Sequence, residues 1–250
     1  PGAPAFASQA RLTADQYRTA TPIKHLVVIF DENIAFDHYF GTYPVAANPA
    51  GEPRFIAAPG TPRVNDLLSA HLLTHNPNLN PRNGAGATNP FRLDRSQAAT
   101  ADQNHGYTAE QKAYDKGAAD LFPLYTGNAS AGGVGAFGTK GQVMGYFDGN
   151  TVTALWNYAQ HFAMSDNAHS DQYGPSTPGA IDLISGQTNG LTVALGTDSS
   201  YYVHDGEGGL TLISDVDPAG DVCSDTLDAV TMTGRNVGDL LNARGVSWGW

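Results

Sequence analysis

An α/β fold with a mostly parallel central sheet is what this sequence predicts, on three observations. Leu26-Val27-Val28-Ile29-Phe30 is an apolar run without polar alternation, the pattern of a strand covered on both faces. Val152, Leu155, Trp156, Ala159 and Phe162 recur at helical spacing between Thr151 and Met164, which gives one apolar helix face. Strand-like and helix-like segments alternate along the chain, and that alternation favours a parallel sheet flanked by helices.

The elements follow in order. Residues 1–22 read as a small, polar amino-terminal arm with no signal-peptide core. The first strand, Leu26 to Phe30, is followed by a long insertion. From Tyr43 to about Ala101 it is rich in Asn, Pro, Ala and Gly, partly helical and too long for a simple loop. Tyr107 to Leu121 carries good helix formers such as Ala109, Lys112 and Ala113. Ala129 to Gly141 is glycine-rich, and Gly133-Val134-Gly135-Ala136-Phe137-Gly138 formally matches a dinucleotide fingerprint. No strand precedes it and no helix follows, so the match is rejected. The amphipathic helix Thr151–Met164 has Asn150 or Thr151 as its cap, with a short strand at Phe162 to Ser165. Thr177 as N-cap, Pro178 at the first helical position and Gly186 past the end predict another helix. Asn236 caps a last helix that runs to Ala243 and stops at Gly245, and Val246-Ser247-Trp248 begins a strand.

Composition narrows the function. At 250 residues and 41% apolar the chain suffices for one large domain, while Gly 29 and Pro 15 predict many loops. No run of apolar residues is long enough to span a membrane. A net charge of −11 argues against nucleic-acid binding through a basic surface. It also means that any anionic substrate would have to be drawn in locally, by a metal, by histidines or by a helix end. Chain position one is proline rather than methionine, which a removed secretory signal or an engineered boundary both explain. The single Cys223 excludes an internal disulfide and a cysteine-rich zinc site. It is either an apolar filler or half of a bridge to a cysteine elsewhere.

Three sets of residues carry candidate chemistry. Glu32 and Asn33 fall where the first strand ends, the usual ligand side of an open α/β sheet. Carboxylate beside carboxamide offers hard oxygen donors for a divalent cation, against the alternative of a plain polar turn. Ser176 sits at a helix amino terminus, where free N–H groups and the helix dipole favour an anion. A hydroxyl there is placed to attack phosphorus, against the alternative of simple helix capping. His105, ahead of the helix at Tyr107, is suited to proton transfer near neutral pH. His169 is a further candidate for contact with substrate. His25 and His38 read as packing residues, and Asp166 and Asp171 as further ligands or solvated turn residues.

The wording of these segments adds a resemblance. Ile23-Lys24-His25 and then Glu32-Asn33-Ile34-Ala35-Phe36-Asp37-His38-Tyr39-Phe40-Gly41 resemble the opening of the bacterial acid phosphatase and phospholipase C superfamily, a phosphoesterase family with an alkaline-phosphatase-like fold. Gly174-Pro175-Ser176 and Asp102-Gln103-Asn104-His105-Gly106-Tyr107 are similar to two further blocks of that family, and Met144-Gly145-Tyr146-Phe147-Asp148 to a structural one. The resemblance implies that Glu32, Asn33 and Ser176 bind one divalent metal ion, Mg, Ca, Mn or Zn. It makes Ser176 the nucleophile of a phosphoseryl mechanism, and it makes His105 a phosphate contact or leaving-group acid. Ile34-Ala35 stand where the family has Arg-Ser, and Thr177, Gly179 and Ala180 where phospholipase-like wording has Asp, Asn and Arg. Those departures lean towards a phosphomonoesterase rather than an enzyme of phospholipid head-groups.

The implied whole is a secreted or periplasmic bacterial phosphoesterase. Residues 23–250 form the amino-terminal part of its single domain, and the remaining metal and phosphate ligands lie in a carboxyl-terminal half. Two rivals stand beside it. One is a metal-independent serine carboxylesterase, which the proline at position 178 disfavours by breaking a Gly-x-Ser-x-Gly elbow. The other is a non-catalytic surface or binding protein on the same fold.

Overall fold

The computed structural model describes residues 13–127, 137–170, 172–196, 198–223 and 227–250. Two compact units share them, one formed by Glu32–Gly179 with Ile213–Asp215, the other by Ala180–Leu212, Val216–Trp250 and the segment up to Asp31. Among the described residues the α/β character is present as three small sheets rather than one central parallel sheet.

The larger unit carries α1 (Phe36–Phe40), β1 (Phe91–Arg92), α2 (Tyr107–Tyr114), α3 (Phe122–Tyr125), β2 (Gly145–Tyr146) and α4 (Thr153–His161). The first turn of α5 (Ser176–Ser185) also belongs to it. β1 and β2 pair in parallel, with Phe91 opposite Gly145. Its apolar core is aromatic: Trp156, fully buried, meets Tyr43 and Phe55 edge-on at 5.2 and 5.0 Å, the favoured geometry for such rings. Gly149 is demanded by this packing, because a Cβ there would lie 2.4 Å from Trp156 Cε3.

Much of the unit's backbone lies outside any ladder; turn and loop carbonyls satisfy part of it, as Phe147 N bonded to His38 O does, and asparagine and aspartate side chains satisfy a further part. Asp148 accepts from Ala47 N and Asn150 Oδ1 from Asn48 N, while Asn48 Oδ1 accepts from Phe55 N. Asn78 and Asn83 do the same for Phe122 N and Leu124 N at the start of α3. Arg92 of β1 closes the first network by pairing with Asp148 and Glu52. The Asp148 hydrogen bonds, more than those of Glu52, hold the Arg92 guanidinium above its ordinary pKa.

The smaller unit holds β3 (Leu191–Leu195), β4 (Tyr202–His204), β5 (Leu210–Leu212), β6 (Asp217–Pro218), β7 (Ala229–Met232) and α6 (Val237–Ala243). β7 is the middle strand, antiparallel to β3 and parallel to β6, while β4 and β5 form an antiparallel pair. Leu191, Leu212 and Val230 make its core. α6 is capped as predicted: Asn236 and Asp239 exchange a capping box. It ends at Gly245, φ +68°, with Val246 N bonded to Leu241 O and Gly245 N to Asn242 O, a Schellman close.

Several expectations are corrected. Leu26–Phe30 forms no strand, and its side chains are exposed, from 62% at Phe30 to 85% at Leu26. A strand exists only when a neighbour takes its N–H and C=O groups, and among the described residues none does. Val246–Trp248 is no strand either, because Trp248 folds back, packing against Gly238 and donating from Nε1 to Asn242 Oδ1. Phe162 to Ser165 is likewise unpaired. The helix predicted to Leu121 ends at Tyr114, where Asp115 and Lys116 turn left-handed at φ +41° and +57°. α4 begins at Thr153, without a side-chain cap, since Asn150 is committed to Asn48 and to the Pro53 carbonyl. Of its predicted face, Trp156 is buried, whereas Leu155 and Phe162 are exposed. The Gly133–Gly138 match lies largely outside the described residues, as does nearly all of the first half of the amino-terminal arm. Cys223 is exposed rather than an apolar filler.

The buried and exposed ion pairs of the larger unit are expected to differ sharply. Asp148→Ala leaves Arg92 only Glu52 as a partner and leaves the Ala47 and Asn150 N–H groups unmet, and should destabilise the unit by about 2–5 kcal/mol, at about 1–3 kcal/mol for each unmet donor. Arg82→Ala removes an exposed pair with Asp115 and should stay within about 1 kcal/mol. Denaturant unfolding of both variants measures the difference, and equal losses would contradict the assignment of Asp148 as the organising group.

Candidate functional site

Ser176 is the first residue of α5, and the turn before it is tightly held. Gly174 has φ +117°, and a Cβ at that position would lie 3.1 Å from the Ile213 carbonyl oxygen and 3.6 Å from the Tyr107 side chain. Only glycine meets both demands without strain. The Gly174 N–H donates to Glu110 Oε2 at 2.8 Å, and the Thr177 N–H donates to Asp215 Oδ1 at 2.8 Å. α5 is therefore capped from a distant segment, and Thr177 is a first-turn residue rather than the N-cap. Pro178 is tolerated beside it because first-turn N–H groups have no partner within the helix. One consequence bears on anion binding: of the N–H groups expected free at this helix end, that of Thr177 is already taken.

α2 links the candidate proton donor to this turn. His105 stands two residues ahead of the helix, and its Nδ1 lies 2.9 Å from the Gln103 carbonyl oxygen. A carbonyl only accepts, so Nδ1 carries the hydrogen and Nε2 is the nitrogen left to take up or release a proton. One turn on, Glu110 reaches Gly174, and Tyr107 and Tyr114 pack their rings against Tyr173 at 6.4 and 5.9 Å. Burial raises the Glu110 pKa, while the Gly174 hydrogen bond and the charge of His105 oppose that rise. The structure thus brings His105 and Ser176 onto one connected scaffold.

The other candidates are placed differently. Glu32 and Asn33 are exposed, and among the described residues no hydrogen bond or ion pair joins them to Ser176 or His105. Asn33 is left-handed, φ +66°, a conformation Asn adopts more readily than most residues. Among the described residues their side-chain oxygens have no hydrogen-bond or ion-pair partner, and carboxylate and carboxamide are oxygen donors of the kind a hard divalent cation takes. No group of three His, Cys, Asp or Glu able to hold a metal occurs among the described residues. His169 and His25 are exposed. Burial pushes the pKa of His38 down, which keeps the ring neutral, as a packing residue requires. Asp166 is engaged as an acceptor for Asn65 N and Asn167 Nδ2, and Asp171 lies outside the described residues. Asp148 of the Met144–Asp148 block is structural, as expected.

Comparison with known proteins decides the family. The sequence profile of the Phosphoesterase family matches residues 23–250, nearly the whole chain. This chain belongs to the Phosphoesterase family. Its relatives include a non-hemolytic phospholipase C of Burkholderia pseudomallei, 24% identical over 241 residues, covering 93% of this chain and 28% of the relative. A phospholipase C A of Mycobacterium tuberculosis is 25% identical over 172 residues, 66% of this chain and 29% of the relative. The chain therefore spans less than a third of the length of these phosphoesterase relatives.

Two residues that shape the Ser176 turn carry no signal in the sequence. Glu110 reads as an ordinary helix former, and Asp215 as a polar loop residue 38 positions from the amide it caps. A pair of glycines tests the reading of the turn. Gly174→Ala should destabilise it and speed amide exchange around residues 172–177, because the left-handed φ and the Ile213 carbonyl both oppose a side chain. Gly179→Ala, inside α5 with nothing within 4 Å of the new Cβ, should instead stabilise by about 0.5–1 kcal/mol. Thermal unfolding and peptide-level hydrogen exchange distinguish the two.

Proposed function

We propose that the protein is a phosphoester hydrolase of the acid phosphatase or phospholipase C type, acting through Ser176. The observation that carries the reading is the family match over residues 23–250, within which Ser176 opens a helix behind a fixed turn. In this reading Ser176 Oγ bonds to phosphorus as the bond to the leaving alcohol breaks. His105 Nε2 takes the hydroxyl proton and delivers it to the leaving oxygen, with Nδ1–H anchored on Gln103. Water then hydrolyses the phosphoseryl intermediate and releases phosphate from a monoester substrate, or the phosphorylated head-group from a phospholipid. A divalent cation held by Glu32, Asn33 and Ser176 would neutralise phosphate charge and favour loss of the hydroxyl proton. His169 is assigned to substrate contact. The substrate class is a small phosphate monoester or a phospholipid head-group, and the relatives named as phospholipases C bring the second into scope.

The exposure of Leu26–Phe30, together with the short span relative to the family's longer members, favours polypeptide outside these 250 residues as the source of further ligands. The same polypeptide would supply the strands that turn this run into part of a parallel central sheet of alkaline-phosphatase type. Among the described residues no helix is long and apolar enough to cross a membrane. The proposed location is secreted or periplasmic.

Ser176→Ala in the complete protein should lower phosphate release by several orders of magnitude with the fold intact, since binding alone does not replace a nucleophile. Acid quench with labelled substrate should trap phosphate on the wild type and not on the variant. Comparable turnover in Ser176→Ala overturns the mechanism. For the metal, Asn33→Gly keeps the left-handed backbone and removes only the carboxamide, so a drop in bound metal by elemental analysis, reversed at high metal concentration, is expected. Unchanged stoichiometry and affinity would remove Asn33 from the ligand set.

A further inference from the structure

Two carboxylates at the Ser176 turn have no part in the chemistry above. Glu110 Oε2 accepts from the amide two residues before Ser176, and Asp215 Oδ1 from the amide just after it. They arrive from different elements, α2 on one side and the Ile213–Asp215 segment on the other. We propose that Glu110 and Asp215 form a two-sided carboxylate clamp that positions Ser176 for attack on phosphorus. The inference rests on Ser176 being the nucleophile.

The physical case has three steps. Hydrogen bonds from backbone N–H to an ionised carboxylate are shorter and about twice as strong as neutral ones, so each fixes its amide firmly. The residues between, Pro175 and Ser176, then have little freedom: proline fixes its own φ, and Ser176 has entered the helix. Finally, the Glu110 carboxylate is itself held. It is half-buried on α2, beside the Tyr107, Tyr114 and Tyr173 rings, and the Ile213 carbonyl closes on Gly174 from the Asp215 side. Nucleophile placement matters steeply in such a reaction, because a displacement of about 1 Å costs about a hundredfold in rate. A clamp that touches no substrate atom therefore acts on turnover. Glu110 and Asp215 are positioning residues in this sense.

The test uses the complete protein and the variants Glu110→Ala, Glu110→Gln, Asp215→Ala and Asp215→Asn, with Ser176→Ala in parallel. Kinetics on a chromogenic phosphomonoester and on phosphatidylcholine vesicles are read beside amide exchange at Gly174, Ser176 and Thr177. The alanine variants should exchange faster at these amides and lose about tenfold or more in kcat, with KM within about twofold. Gln and Asn retain an accepting oxygen of the same shape, so both should recover most of the loss, which a general folding defect would not permit. Unchanged exchange in the alanine variants overturns the clamp, and so does wild-type kcat in either of them or failure of the Gln and Asn variants to recover it. Retained activity in Ser176→Ala overturns the nucleophile and with it the positioning role, while the exchange data still report separately whether the two hydrogen bonds hold the turn.

Discussion

Satisfying buried backbone without a sheet ladder is the constraint on which the larger unit depends. Its strands are two residues each, so β-pairing supplies few of the required partners. Each unpaired buried N–H or C=O costs free energy comparable to a lost hydrogen bond. Side chains fill the gap, and asparagine is the natural choice because one carboxamide both donates and accepts. Asn48 illustrates it, accepting from Phe55 N while donating to Phe55 O, as a neighbouring strand would. Asp148 and Asn150, both buried, join this loop to the start of α4, and Arg92 balances the charge. The aromatic core of Tyr43, Phe55 and Trp156 then closes over backbone that is already paired.

The same logic governs the site. α5 lacks a local cap, and both amides that flank Ser176 are met by carboxylates from other parts of the unit. Under the proposed reading, two negative charges beside the phosphate would be unfavourable for substrate binding in a chain of net charge −11, so their presence needs a compensating reason. Orientation of the nucleophile is such a reason. In the same proposed reading the attraction of phosphate would fall to a cation and to His105, since the Thr177 amide is already occupied.

What was legible in the sequence divides by range. Local signals held: Asn236 and Gly245 bound α6, Gly186 follows α5, and Tyr107 starts α2. Each of these is settled within a few residues by capping or by backbone conformation. Features decided over long range were missed. Asp215 caps α5 across the chain, Asn150 is drawn from capping into the Asn48 network, and left-handed Asp115 and Lys116 end α2 early. No periodicity encodes such choices. The motif residues are marked by their places at a predicted strand end and at helix starts together with their family-like wording. The structure adds to that reading the connection between His105 and the Ser176 turn through Glu110.

The two arms of the candidate chemistry are consequently not equal in order. The nucleophile arm is fixed by glycine geometry, two charge-assisted hydrogen bonds and aromatic packing. The proposed ligand arm, Glu32 and Asn33, follows closely on an apolar run whose backbone has no sheet partner among the described residues. A residue at the end of a paired strand inherits the strand's direction, whereas one after an unpaired segment keeps its conformational entropy until something orders it. Pairing of Leu26–Phe30 would bury apolar surface and fix the direction of Glu32 together, so that strand formation and cation binding favour one another by linkage. In that arrangement the serine is preset and the cation site is the part that assembly completes.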